Sequence, residues 1–220
     1  MTDLFLFTEE SGLANLRREG VPPERIRLVG NLMIDSLHWN LERGRAAGIQ
    51  PPPPPYGLVT LHRPANVDSA EALGPLMEAL GAISRDLPLR FPVHPRTRER
   101  LKAIALPEGS RIEYLEPAGP VEFAVHLAAA AAVLTDSGGI QEETTALGVP
   151  CLTLRENTER PITLTQGTNH LVGTNPESVA TVLDRVLSGQ PNASYAVPEG
   201  WDGRAAQRIV ATLVTLWQGR

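Results

Sequence analysis

A single cysteine, an aromatic content of only 5% and no excess of positive charge remove several classes of protein at once. Cys151 has no second cysteine for an internal disulfide, and no Cys/His spacing suits zinc, so neither a disulfide scaffold nor a metal module is expected. A formal net charge of −5 argues against a general nucleic-acid binder, although local basic groups can still hold a small anion. No apolar run is long enough to span a bilayer, and the opening residues lack the basic, apolar and small-residue succession of a secretory signal. The expectation is a cytoplasmic protein that engages neither nucleic acid nor membrane. What is present is 42% hydrophobic residues over 220 positions, enough core for one α/β domain or one domain and part of another.

Hydrophobic periodicity then organises the chain. Asp3 to Phe7 reads as a strand, Thr8 as a helix cap, Glu9 to Glu19 as a helix ended by Gly20, and Ile26 to Val29 as a second strand. The prolines 51 to 55 cannot extend a helix and read as a spacer before a strand over Gly57 to Leu61. Beyond them helices (70–86, 96–105, 121–130) alternate with strands (89–93, 111–114, 132–135), the pattern of a parallel sheet covered on both faces. Helices over 177–187 and 203–217 follow, the second with an apolar face at Ile209, Leu213 and Leu216. Cys151 falls in a buried-looking strand, where a packing role is expected of it.

The most informative stretch runs from Leu134-Thr135-Asp136-Ser137-Gly138-Gly139 to Gln141-Glu142-Glu143 and on to Arg160-Pro161. A buried strand followed by Ser-Gly-Gly allows a tight turn whose backbone N–H groups are uncovered, and a helix begins there. Its first-turn amides lack intrahelical partners and carry the positive end of the helix dipole, so a phosphate against Ser137, Gly138 and Gly139 would be bound by backbone donors. Glu142 and Glu143, one turn on, place carboxylates where a ribose diol can donate to them. Gly148 is expected to end the helix, and 149–154 reads as the next strand, delivering Arg155 and Arg160 to a strand's carboxyl end. A Ser-Gly-Gly turn also serves as a plain connection. Arg160 suits a diphosphate clamp because a guanidinium is a charged, forked donor, whereas Arg155 can instead pair with Glu156 or Glu159.

These words, with Leu58 to Asp68 (including His62-Arg63-Pro64), Phe91 to Thr97 (including His94-Pro95-Arg96), Gly167-Thr168-Asn169 and Leu171 to Thr174, resemble the non-hydrolysing UDP-N-acetylglucosamine 2-epimerases. The resemblance covers nearly the whole chain. It implies a Rossmann-like parallel sheet in a glycosyltransferase-B-like architecture with most of the first domain absent. Residues 1–37 would be the remnant of that domain and the crossing segment, 38–200 the UDP-binding domain and 201–220 a terminal helix. It also implies interconversion of UDP-N-acetylglucosamine and UDP-N-acetylmannosamine without a cofactor, a UDP-N-acetylglucosamine effector and a homodimer in the full-length family.

By the same resemblance His62 is the catalytic histidine near the departing UDP, Arg63 and His94 border the effector site, and Phe123 packs on uracil. Ser137, Gly138, Gly139, Glu143 and Arg160 hold UDP. The residues themselves leave alternatives open. His62 can be a structural hydrogen-bonder, His94 can merely fix the loop carrying Arg96 and Arg98, and Phe123 can be a core aromatic. His38, His126 and His170 read as helix-surface or loop residues. Ala65 and Ile162 depart from the family's pattern, each standing where an acidic residue is frequent, and the carboxylates that act at the sugar C2 belong mainly to the first domain. A glycosyltransferase-B-type sugar transferase and a non-catalytic UDP-sugar binding module are the rival readings.

Overall fold

The computed structural model describes residues 2–189 and 195–218. A small parallel pair, β1 (Phe5–Phe7) and β2 (Ile26–Leu28), is joined through α1 (Glu10–Arg18). Glu9, not Thr8, caps α1, its carboxylate accepting the Ser11 N–H at 2.8 Å. α2 (Leu32–Ala46) follows, capped by the Asn31 side chain, which accepts the Met33 N–H. The segment expected to be a crossing stretch is therefore the first turns of this helix, which runs without a break across residues 37 and 38.

The remaining elements, in chain order, are β3 (Gly57–Thr60), α3 (Pro64–Val67), α4 (Ala70–Ile83), β4 (Leu89–Pro92), α5 (Pro95–Leu101), β5 (Ile112–Leu115), α6 (Pro120–Ala129), β6 (Ala132–Thr135), α7 (Gly138–Leu147), β7 (Cys151–Thr153), α8 (Pro161–Thr165), β8 (Asn169–Leu171), α9 (Pro176–Leu187) and α10 (Ala205–Gln218). The six strands form one sheet, β5-β4-β3-β6-β7-β8, with every pairing parallel. From β3 the chain winds outward through β4 and β5, then returns to the other side of β3 and winds outward again. The switch point lies between the carboxyl ends of β3 and β6, where open α/β sheets form their ligand crevice.

Both faces of the sheet are covered, which is why β6 is buried at all four positions. Leu134 points into a core with Leu76 and Leu80 of α4 and Leu183 of α9, whereas Val133 packs with Ile34 and Leu37 of α2 and Leu127 of α6. Cys151 belongs to this interior, and burial pushes its thiol up to about 12, so it packs and does not react.

The two sheets are stitched where the chain crosses back. Gly30 has φ 86°, and a Cβ there would stand 1.9 Å from the Gly200 carbonyl oxygen, so no side chain fits. Arg208 donates to the carbonyls of Val29 and Gly200, and the buried Trp201 indole donates to Thr8 O at 3.1 Å. Asp35 caps α10 by accepting the N–H groups of Ala205 and Ala206. Of the apolar face expected of α10, Ile209 is half-buried, whereas Leu213 and Leu216 are exposed among the described residues, as are Val210, Val214 and Trp217. Only the first turn of the helix is buried, through Ala205. No helix of the described residues is long and apolar enough to cross a membrane.

Candidate functional site

Asp136, immediately after β6, is 0% exposed and gathers the switch point around its carboxylate. It accepts the backbone N–H groups of His62 (3.2 Å) and Arg63 (2.9 Å) and the Asn66 amide at 3.0 Å, and its Oδ1 lies 2.9 Å from His62 Nδ1. Arg63 Nε donates back to the Asp136 carbonyl at 3.0 Å, and Asn66 reaches Leu154 O at 3.3 Å. The loops after β3, β6 and β7 are thus locked together, while the His62 side chain stays 61% exposed at the mouth. Asp136 and Asn66 were not among the expected site residues. The only sequence signal for them was their place inside the quoted motifs.

Ser137 caps α7 without a side-chain hydrogen bond to the helix, leaving the first-turn amides uncapped. Among the described residues nothing lies within 4 Å of where a Gly138 Cβ would be, so the backbone is open to a ligand there, and Gly139 faces Met33 of α2. The three expected donors are not equivalent. The Ser137 N–H already donates to Thr135 Oγ1 at 3.0 Å, whose hydroxyl meets Thr60 Oγ1 at 2.6 Å, which leaves Gly138 and Gly139 as the open amides.

Opposite this turn, Arg160 Nε stands 2.8 Å from Glu142 Oε1, close but not aligned for a hydrogen bond. Arg160 borders a cavity of about 410 Å³ with Thr8, Asn31, Met33 and Glu142, in the cleft between the small sheet and the large one. Burial raises the Glu142 carboxyl above its usual range, opposed by Arg160 and Asn31. Burial, and then the neighbouring Glu142 charge, push Glu143 up to about 7.

The loop carrying Arg160 is held by polar side chains. Gln141 Oε1 accepts Thr158 Oγ1 (2.5 Å) and the Asn169 amide (3.1 Å), which also reaches Thr163, while Thr153 donates to Asn169 Oδ1. Gln141 also donates to Ser137 O, so one network links the turn to the clamp. Arg155 makes one of the two pairings left open for it, both terminal nitrogens bonding Glu159 at 2.8 and 2.7 Å, but from a buried position and not on a solvated surface, and it does not enter the crevice as a free donor.

The remaining expected residues lie at the same carboxyl edge but outside these contacts. His94 caps α5, its Nδ1 accepting the Arg96 N–H at 3.3 Å, which is the loop-fixing role the sequence left open. Phe123, in the first turn of α6, is half-buried against the core beneath α2. No hydrogen bond or ion pair among the described residues ties His94 to His62 or Asp136. His126 corrects the reading of it as surface or loop: it is buried in α6, and burial lowers its imidazole below the usual value. His170 departs from the same reading, sitting half-buried in strand β8, whereas His38 is on the surface of α2 as expected. No group of three His, Cys, Asp or Glu among the described residues is placed to hold a metal ion.

A doubly wound parallel sheet with a polar crevice at its switch point, set against a second small parallel unit, defines an α/β protein of glycosyltransferase-B type. Within that class the chain belongs to the UDP-N-acetylglucosamine 2-epimerase family, whose model matches residues 1–214. A UDP-N-acetylglucosamine 2-epimerase of Methanocaldococcus jannaschii is 39% identical over 212 residues, 90% of this chain and 57% of the relative. A UDP-2,3-diacetamido-2,3-dideoxy-D-glucuronate 2-epimerase of Pseudomonas aeruginosa is 32% identical over 176 residues, 79% of this chain and 49% of the relative. The crystal structure of the Methanocaldococcus jannaschii enzyme in complex with UDP-GlcNAc and UDP matches with a TM-score of 0.80 at 36% identity, covering 97% of this chain and 61% of that one. This chain therefore spans about half to three-fifths of the length of these relatives.

Proposed function

We propose that this chain is the UDP-binding half of an enzyme that interconverts UDP-N-acetylglucosamine and UDP-N-acetylmannosamine. The observation that carries the proposal is the uncapped start of α7 at the switch point, with Arg160 across the cleft. In this reading the C2 proton passes to a base while the C1–O bond breaks. The C2 electron pair forms a C1–C2 double bond, giving 2-acetamidoglucal, and UDP departs with the C1–O pair. UDP then returns as a proton is delivered to the opposite face of C2. Charge grows on the departing diphosphate, where the amides of Gly138 and Gly139, the Ser137 turn, Arg160 and His62 meet it. Glu143 accepts from the ribose, Phe123 packs on uracil, and Arg63 and His94 border a site for a UDP-N-acetylglucosamine effector.

Residues 38–200 form the UDP-binding domain in this proposal, 1–37 lead into it and 201–220 close it. The working enzyme is a cytoplasmic homodimer without a cofactor, and the groups that reach C2 come from outside this chain. The two relatives differ in the sugar that their names give and share the UDP, so the UDP half is what transfers most directly. Both are epimerases, which leaves the sugar-transferase reading without an observation in its favour.

Proton NMR of UDP-N-acetylglucosamine in D₂O tests the proposal. The 220-residue chain should broaden the uracil and anomeric resonances, excess UDP should reverse this, and C2 should take up no deuterium. Broadening that UDP does not reverse contradicts the site. Deuterium uptake abolished by His62→Ala contradicts the division of labour.

A further inference from the structure

We propose that Asp136 is a positioning residue that holds His62 in one tautomer, with Nδ1–H on the carboxylate and Nε2 left for the ligand. The proposal rests on the reading of His62 as the group that meets the diphosphate. Asp136 is fully buried, and among the described residues every polar partner of its carboxylate is a nitrogen: the His62 and Arg63 backbone N–H groups, the Asn66 amide and the His62 imidazole. A carboxylate removed from water needs such donors, and an ionised one has no proton to give in return. At 2.9 Å a bare Nδ1 would set its lone pair against the carboxylate, so this contact, although not aligned as a hydrogen bond, places the hydrogen on Nδ1.

The same carboxylate grips the backbone N–H of His62, so main chain and ring are oriented from one buried point while the side chain stays largely exposed. When the ring carries both protons, Asp136 balances its charge and Nε2–H is a donor for an oxygen gaining charge in the crevice. When it carries one, the contact of Nδ1 with the carboxylate fixes which nitrogen holds it. An amide in place of Asp136 offers one oxygen to several N–H donors. Its NH₂ group is then free to donate to Nδ1, which drives the hydrogen to Nε2.

Long-range proton–nitrogen correlation spectra of the histidine-labelled 220-residue chain read this directly, with His62 assigned by its disappearance in His62→Gln. With the ring neutral, the expected pattern is protonated Nδ1 and bare Nε2. Asp136→Asn should convert it wholly or partly to Nε2–H, whereas Asn66→Ala, which spares the carboxylate, should leave it unchanged. An Nε2–H or mixed ring in the unaltered chain overturns the proposal, as does an unchanged tautomer in a folded Asp136→Asn chain. If Asp136→Asn does not fold, the unaltered chain and Asn66→Ala decide. UDP tests the underlying reading separately. If bound UDP leaves the Nε2 resonance unmoved while Nδ1 remains protonated, His62 does not meet the diphosphate, although Asp136 still orients it.

Discussion

Arg160 and Glu142 face each other across the mouth of the cleft, Nε to Oε1 at 2.8 Å, without the alignment of a hydrogen bond. A guanidinium held near a partner in this way is restrained yet keeps donors for a diphosphate. Arg160→Ala should weaken UDP by about 1.5–3 kcal/mol, the range for a charge-assisted contact, less whatever the pair with Glu142 already provides. Calorimetric titration checks it. An affinity unchanged within error would make Arg160 a surface partner of Glu142 alone.

Gly138 separates binding from folding. A methyl at this position meets no atom of the described residues within 4 Å, and the residue opens a helix, so Gly138→Ala should leave stability unchanged or raise it by up to about 1 kcal/mol. The same methyl would stand over the open amide, and UDP affinity should fall at least tenfold. Urea unfolding and UDP titration of the one variant give both readings. Retained affinity would place the phosphate elsewhere.

Arg155 has an 8% exposed side chain, whereas its partner Glu159 is 56% exposed. The bond from Arg155 holds the Glu159 carboxyl down at about 2. A lowered carboxylate stabilises the fold above its unfolded value near 4.5 and ceases to do so as pH falls through about 2. Glu159→Gln should therefore cost stability at pH 7, roughly 1 kcal/mol after allowing for solvent screening of an exposed partner. The difference from the unaltered chain should shrink between pH 4.5 and 2. Urea unfolding across that range checks it, and a pH-independent difference would mean that packing, not charge, is lost.

Glu143 has the opposite sign. With its carboxyl raised from 4.5 to about 7, its protonated form favours the fold, and that contribution is complete below 4.5 and gone above about 7. Glu143→Gln, which never ionises, should match the unaltered chain near pH 4 and exceed it in stability at pH 8, by about 3 kcal/mol at most. Thermal unfolding at the two pH values measures this. Equal stability at pH 8 would show that the Glu143 carboxylate is well solvated.

The parts of the fold most legible in the sequence are those where period and punctuation agree. β6 occupies the four expected residues, Ala132 to Thr135, and Gly148 ends α7 with φ 72°. Short elements were missed: α3 and α8 have four and five residues, too few to show a period, and β8 has three. In the candidate site, the glycines and arginines stand out by residue type. The importance of Asp136 and Asn66 depends on which loops the switch point brings together, a long-range fact that local sequence does not contain. His126 shows the converse error, because a polar residue type masked a buried position.

In the proposed function this chain holds a nucleoside diphosphate through its phosphates, at the start of α7 and at Arg160. Isothermal titration at low ionic strength with UDP, and separately with uridine, tests it most directly. UDP should give saturable heat that weakens as salt is added, and uridine should bind at least tenfold more weakly, because the nucleoside lacks the group these donors meet. Equal affinities for UDP and uridine would contradict it.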